Sequence, residues 1–171
     1  PLIAGPASIT AVMVLQAGAP GVPGAVVVGG SVVLILLLTG AILLAAEQIG
    51  AAARCLDLTV QYTKDRVQFG RPIGSFQALK HRMADLYVAV QSARAVVNEA
   101  VADPTPTSAA LARLAASEAF STVAGEAVQM HGGSAPTWER DTQPYVTRAH
   151  GSAQLLGPPR EHLRRLESEV F

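Results

Sequence analysis

The chain has 171 residues, half of them apolar and only 15% charged, with 13 basic side chains against 13 acidic ones. That composition excludes a disordered chain, and the zero formal net charge argues against a general nucleic-acid or anionic-membrane binder. A single cysteine, Cys55, excludes an internal disulfide framework and a zinc site built on several thiolates; with no secretory signature present, the expected setting is a reducing cytoplasm.

Residues 1 to 30 carry Pro1, Pro6, Pro20 and Pro23 and six glycines among short apolar runs, and they are left as an unassigned Gly/Pro-rich apolar segment. No Asp, Glu, Lys or Arg occurs before Glu47. Ala25 to Ala46 is an unbroken apolar run that would span roughly 33 Å as a helix, enough to cross a bilayer. It lacks flanking Lys or Arg and an aromatic belt, and it leads without a break into a charged helical pattern. A core helix of a larger helical domain reads the same way.

From Ser31 to Phe171 the signal is helical. The first helix is expected from about Ser31 to Arg66, ending at the breaker cluster Phe69-Gly70-Arg71-Pro72-Ile73-Gly74. The second starts near Ser75 as N-cap, with Phe76, Leu79, Met83, Leu86, Tyr87, Val90 and Val97 spaced mostly by threes and fours. The third opens at Thr105-Pro106, runs through Leu111, Leu114, Phe120 and Val123, and stops at Gly132-Gly133. Shorter helices follow over about Gln143 to Leu156 and Pro159 to Glu169. The predicted class is all-α, an up-and-down bundle with short connections.

Two segments carry chemistry. In Tyr62 to Gln77, Arg66 stands at a helix end beside an aromatic and a glycine turn. It can offer a forked cation to a phosphate, or it can merely complement the helix dipole; the residues alone leave both open. In Gln129-Met130-His131-Gly132-Gly133 the glycines allow a ligand close to the backbone and Gln129 offers an amide, although Gly-Gly is also a plain helix stop. His81, His131, His150 and His162 are scattered, so no metal site is expected. No nucleophile elbow, phosphate loop or dinucleotide fingerprint is present.

Together these segments closely resemble the carboxyl-terminal domain of flavin-dependent acyl-CoA dehydrogenases. Ala45-Ala46-Glu47-Gln48-Ile49-Gly50, Lys80-His81-Arg82-Met83-Ala84-Asp85 and Thr137-Trp138-Glu139 support the likeness, which covers about residues 41 to 171. It implies FAD as cofactor, lying between subunits of a homo- or hetero-oligomer, and α,β-dehydrogenation of a fatty or sterol-derived acyl-CoA thioester in β-oxidation. Carried over by position, Arg66 meets the FAD pyrophosphate and Phe69 packs on the cofactor. Gln77, Gln129, Met130, His131, Gly132 and Gly133 touch the adenosine end of a partner's FAD. The resemblance also makes the apolar run the start of a long buried helix, so a membrane anchor is not expected.

This chain departs from the family pattern in three ways. The family's amino-terminal helical domain and middle β domain do not fit in residues 1 to 40. Gly157 and Gly40 stand at the two places where members put the glutamate base, and Glu47, Glu139 and Asp141 read as helix-surface or turn acids, so the catalytic residue is left unassigned. Ser134-Ala135-Pro136 follows Gly133 where a further glycine is usual. A non-catalytic or partial subunit supporting a partner's flavin site is the alternative reading; a small membrane-anchored helical protein is a third.

Overall fold

The computed structural model describes residues 24–132 and 142–170. Residues 1–23 lie outside it, as do Gly133, Ser134 to Pro136, Trp138, Glu139 and Asp141. Contacts divide the chain into two units, Pro1–Gly40 and Ala41–Phe171.

Helix α1 runs over Gly24–Asp65 and so begins before the expected Ser31. Gly29 and Gly30 cost about 1 kcal/mol each relative to alanine, which the surrounding helical run absorbs. In the first unit Val33, Leu34, Leu36 and Leu37 are exposed within this chain. Over Val28–Asp65 the helix is long and apolar enough to cross a membrane by length and composition. Its second half is a core helix: Ala45, Gln48, Ile49, Ala52, Cys55, Leu56, Thr59 and Thr63 form a buried stripe.

The helix ends at Asp65, but the Arg66 N–H still donates to Tyr62 O at 2.9 Å while its carbonyl accepts from the Ile73 N–H at 2.8 Å. Arg66 therefore closes the helix and opens a hairpin. Strand β1 (Val67–Gln68) pairs antiparallel with β2 (Arg71–Pro72), Val67 opposite Pro72 and Gln68 opposite Arg71. The loop residues Phe69 and Gly70 have φ of 54° and 75°, the double left-handed geometry of a type I′ turn. The sequence showed only a breaker here, because two-residue strands are too short to alternate.

A 3₁₀ turn over Ile73–Ser75 leads to α2 (Gln77–Ala102), whose N-cap is Phe76 rather than Ser75. Leu86, Val90, Ala93, Val97 and Ala100 form its buried face, whereas Tyr87, expected on that face, is exposed. Thr105 caps α3 (Pro106–His131) as the sequence predicts: the Ser108 N–H donates to Thr105 Oγ1 at 3.0 Å and the Thr105 N–H to Ser108 Oγ at 2.9 Å. Gly132, with φ 61°, ends it. Helix α4 (Gln143–Gln154) stops short of Leu156, because Leu155 is extended and Leu156 and Gly157 turn left-handed at φ 58° and 103°. Helix α5 (Pro159–Val170) completes the all-α bundle.

The core joins Ala52, Cys55 and Leu56 of α1 to Leu86 and Val90 of α2, Ala149 of α4, and Phe120, Val123, Ala127 and Met130 of α3. Alanines at Ala109, Ala112, Ala116, Ala119 and Ala127 let neighbouring helices approach α3 closely. One buried polar network crosses this core. Arg113, 1% exposed, donates to Gln48 Oε1 and to the carbonyls of Ser152 and Leu155, the last two at 3.0 Å. Gln48 Nε2 donates to Ser152 Oγ at 2.9 Å. The guanidinium thus caps the end of α4 from inside. Burial lowers its proton affinity below the ordinary arginine value, and the charge of Glu47 partly restores it.

Candidate functional site

The site grows from the end of α1. The Tyr62 ring stacks on His131 at 4.1 Å between centroids and 25° between planes, and Tyr62 Oη donates to the His131 carbonyl at 3.4 Å. His131 Nδ1 faces the Ala127 carbonyl at 2.7 Å, so that nitrogen carries the proton. The contact joins the last turn of α1 to the last turn of α3. It therefore brings the two sequence motifs to one end of the bundle.

The hairpin is fixed against α1 by a close approach. A Cβ at Gly74 would lie 2.9 Å from Thr63 Oγ1 and 3.0 Å from Thr63 O, so only glycine seats there without displacement. Thr63 is buried and donates to Val60 O at 2.8 Å. Behind the hairpin a pocket of about 250 Å³ is lined by Val60, Thr63, Lys64, Pro72, Gly74, Ser75 and Met83. Ser75 Oγ is buried with no hydrogen-bond partner among the described residues.

At the tip Phe69 is 91% exposed, an extreme value for a phenylalanine. Phe76 holds the tip from below: its ring meets Phe69 edge-on at 6.2 Å and 87°, and Arg71 Cζ lies 4.0 Å over it. Arg66 and Gln77 are exposed on the same segment, and Gln129 and Gly132 are exposed at the end of α3. Met130 is a core residue and the His131 ring is turned onto Tyr62, so both side chains are buried rather than presented on this face. Gly133 falls outside the described residues. Sequence reasoning quoted Tyr62, Arg71, Gly74 and Phe76 within the motif but gave none of them a role; an aromatic on each side of a two-residue turn was the available signal.

An exposed forked cation, an exposed aromatic, amides and a glycine at a helix end make up a donor set suited to a large phosphate-bearing aromatic ligand.

This fold and hairpin define a helical domain of acyl-CoA-oxidising flavoproteins: residues 29–165 match the acyl-CoA dehydrogenase carboxyl-terminal domain, and the chain belongs to that family. Among its relatives, acyl-CoA dehydrogenase IpdE2 of Mycolicibacterium smegmatis is 77% identical over 133 residues, which cover 78% of this chain and 43% of the relative. The ChsE4-ChsE5 complex of Mycobacterium tuberculosis superposes with a TM-score of 0.76 at 34% identity, over 81% of this chain and 39% of that one. An FAD-dependent dehydrogenase structure superposes with a TM-score of 0.74 at 26% identity, over 86% of this chain and 40% of that one. The chain therefore spans less than half the length of the relatives it matches.

Proposed function

We propose that the chain supplies the helical half of an FAD site in an oligomeric acyl-CoA dehydrogenase that desaturates an acyl-CoA thioester between its α and β carbons. The observation that carries the reading is the hairpin: a cation and an aromatic, locked by Tyr62–His131 and Gly74–Thr63 yet both exposed among the described residues. Such a surface is complete only against a ligand held by a partner, which suits the family and its paired-subunit relative. The fit of the buried thiol of Cys55 to a reducing compartment supports a cytoplasmic setting.

With FAD bound, Arg66 would offer its forked cation to the pyrophosphate, Phe69 would pack on the cofactor and exclude water, and Gln77 with Gln129 and Gly132 would meet the adenosine end. FAD, when bound, supplies the hydride acceptor. The decisive experiment is equilibrium flavin titration of the assembled protein. Arg66→Ala removes a charge-assisted contact and should weaken binding about 10- to 150-fold, which corresponds to about 1.5–3 kcal/mol. Arg66→Lys should recover only part, because it keeps the charge and loses the fork. Unchanged affinity in Arg66→Ala removes the role.

A second reading, a subunit that completes a partner's flavin site without doing chemistry, is favoured by one observation: Gly40 and Gly157, where the family pattern seeks its base, carry no side chain.

A further inference from the structure

The hairpin carries a second guanidinium besides Arg66. Its register sets Gln68 opposite Arg71, and the Ile73 N–H that donates to the Arg66 carbonyl at 2.8 Å carries the ladder one pair further. Side chains alternate between the faces of a strand, and directly paired residues share a face. Arg66, Gln68 and Arg71 therefore stand on one face of the hairpin, with Val67 and Pro72 on the other. Arg66 and Arg71 are diagonal neighbours across the pair. That places their Cα atoms about 7–8 Å apart, a span over which side chains of this length can converge on one small group.

Neither cation is used inside the fold. Among the described residues the ion pairs are Arg82–Glu126 and Arg148–Glu47, and neither Arg66 nor Arg71 donates a side-chain hydrogen bond. No acid lies between Arg66 and Gln77, and the neighbouring Asp65 carboxylate accepts from Gln61 Nε2 at 2.9 and 3.0 Å. The first turn of α2 adds no acid either, although carboxylates are favoured at that end of a helix. Two unbalanced like charges on one face repel, and an anion set between them removes that cost. Arg71 is nevertheless held in place, with its Cζ 4.0 Å over the Phe76 ring. Restraint by a ring uses no hydrogen bond, so the side chain is ordered while its N–H donors stay available to a ligand.

We propose that Arg71 is the second phosphate-binding cation of this face, closing with Arg66 on the pyrophosphate of FAD, an inference that rests on the flavin reading above. A pyrophosphate diester carries two negative charges, one on each phosphoryl group, and one guanidinium balances one of them. Arg66 serves one phosphoryl group and Arg71 the other. Phe76 is the positioning residue: it carries Arg71 on its face and meets Phe69 edge-on, so one ring sets both the cation and the aromatic tip. Coenzyme A contains a diphosphate as well, and the test separates the two sources.

The test is calorimetric titration of the flavin-depleted assembled protein with FAD, ADP, riboflavin and coenzyme A. Arg71→Met should weaken FAD and ADP about 10-fold or more and leave riboflavin within about twofold, with circular dichroism unchanged. It should also flatten the fall of FAD affinity with added NaCl, whereas Arg71→Lys should keep that salt dependence and recover part of the affinity. Wild-type FAD and ADP affinities in Arg71→Met overturn the inference; if Arg66→Met still weakens both, the flavin reading stands with a single cation. A loss confined to coenzyme A overturns it and assigns Arg71 to the thioester's diphosphate. Equal losses for riboflavin and FAD overturn it too, since they mark a disturbed hairpin rather than a lost charge. Wild-type protein that binds neither FAD nor ADP overturns both the inference and the flavin reading.

Discussion

Consider Arg113→Met. The side chain is 1% exposed, and methionine retains most of its stem while deleting three hydrogen bonds, to Gln48 Oε1, Ser152 O and Leu155 O. Bonds from a charged donor contribute about 1.5–3 kcal/mol each, so the gross loss is roughly 4.5–9 kcal/mol. Against this, removing the guanidinium relieves a desolvation cost of several kcal/mol, which shows in its lowered proton affinity. Its Nε also lacks a partner, so the cation is not fully compensated even in the native bundle. Gln48 Oε1 keeps the Ser117 hydroxyl at 3.3 Å and Ser152 O keeps the Leu155 N–H at 3.3 Å, which leaves the Leu155 carbonyl as the orphan. The net cost is then on the order of 1–3 kcal/mol, set by that one unsatisfied acceptor. With a urea m-value of about 2 kcal/mol/M the unfolding midpoint should fall by about 0.5–1.5 M at unchanged m. Urea titration followed by circular dichroism measures it. A midpoint within about 0.3 M of wild type, or above it, would refute the view that Arg113 is what closes the end of α4.

Two further outcomes follow from the packing and the buried thiol. Gly74→Ala forces a Cβ against the Thr63 carbonyl at 3.0 Å, so it should lower stability by about 1–3 kcal/mol and weaken flavin binding; adding Thr63→Ala should restore little, since the carbonyl remains, and full recovery in the double variant would contradict the geometry. Burial pushes the Cys55 thiol from 9.0 up to about 11, so its contribution is intact below pH 9 and is lost as pH rises towards 11, a fall of about 2–3 kcal/mol. Cys55→Ala should remove that part of the alkaline slope in urea midpoints measured from pH 8 to 11, and an unchanged slope would count against it.

Where one residue type has one dominant use, the sequence was easy to read. Thr105-Pro106 could do little but start a helix, and the spacing of Leu86, Val90 and Val97 could only be a helix face. Ser75 misled because a good cap residue one position early was followed by an aromatic that the hairpin needed as its floor. The hairpin went unseen since its strands owe their existence to a turn and to a glycine seated on Thr63, not to any alternation of side chains. For the site, Arg66, Phe69 and Gln129 were legible as motif members, but the Tyr62–His131 stack depends on two helix ends meeting across 69 residues of sequence.

The Tyr62–His131 stack makes the hairpin and the Gln129–Gly132 turn a single mechanical part. Anyone transplanting this half-site into another scaffold would have to move both helix ends as one graft, with the aromatic pair inside it. A loop exchange confined to residues 66–76 would import Arg66 and Phe69 but lose the bracket that sets their distance from Gln129.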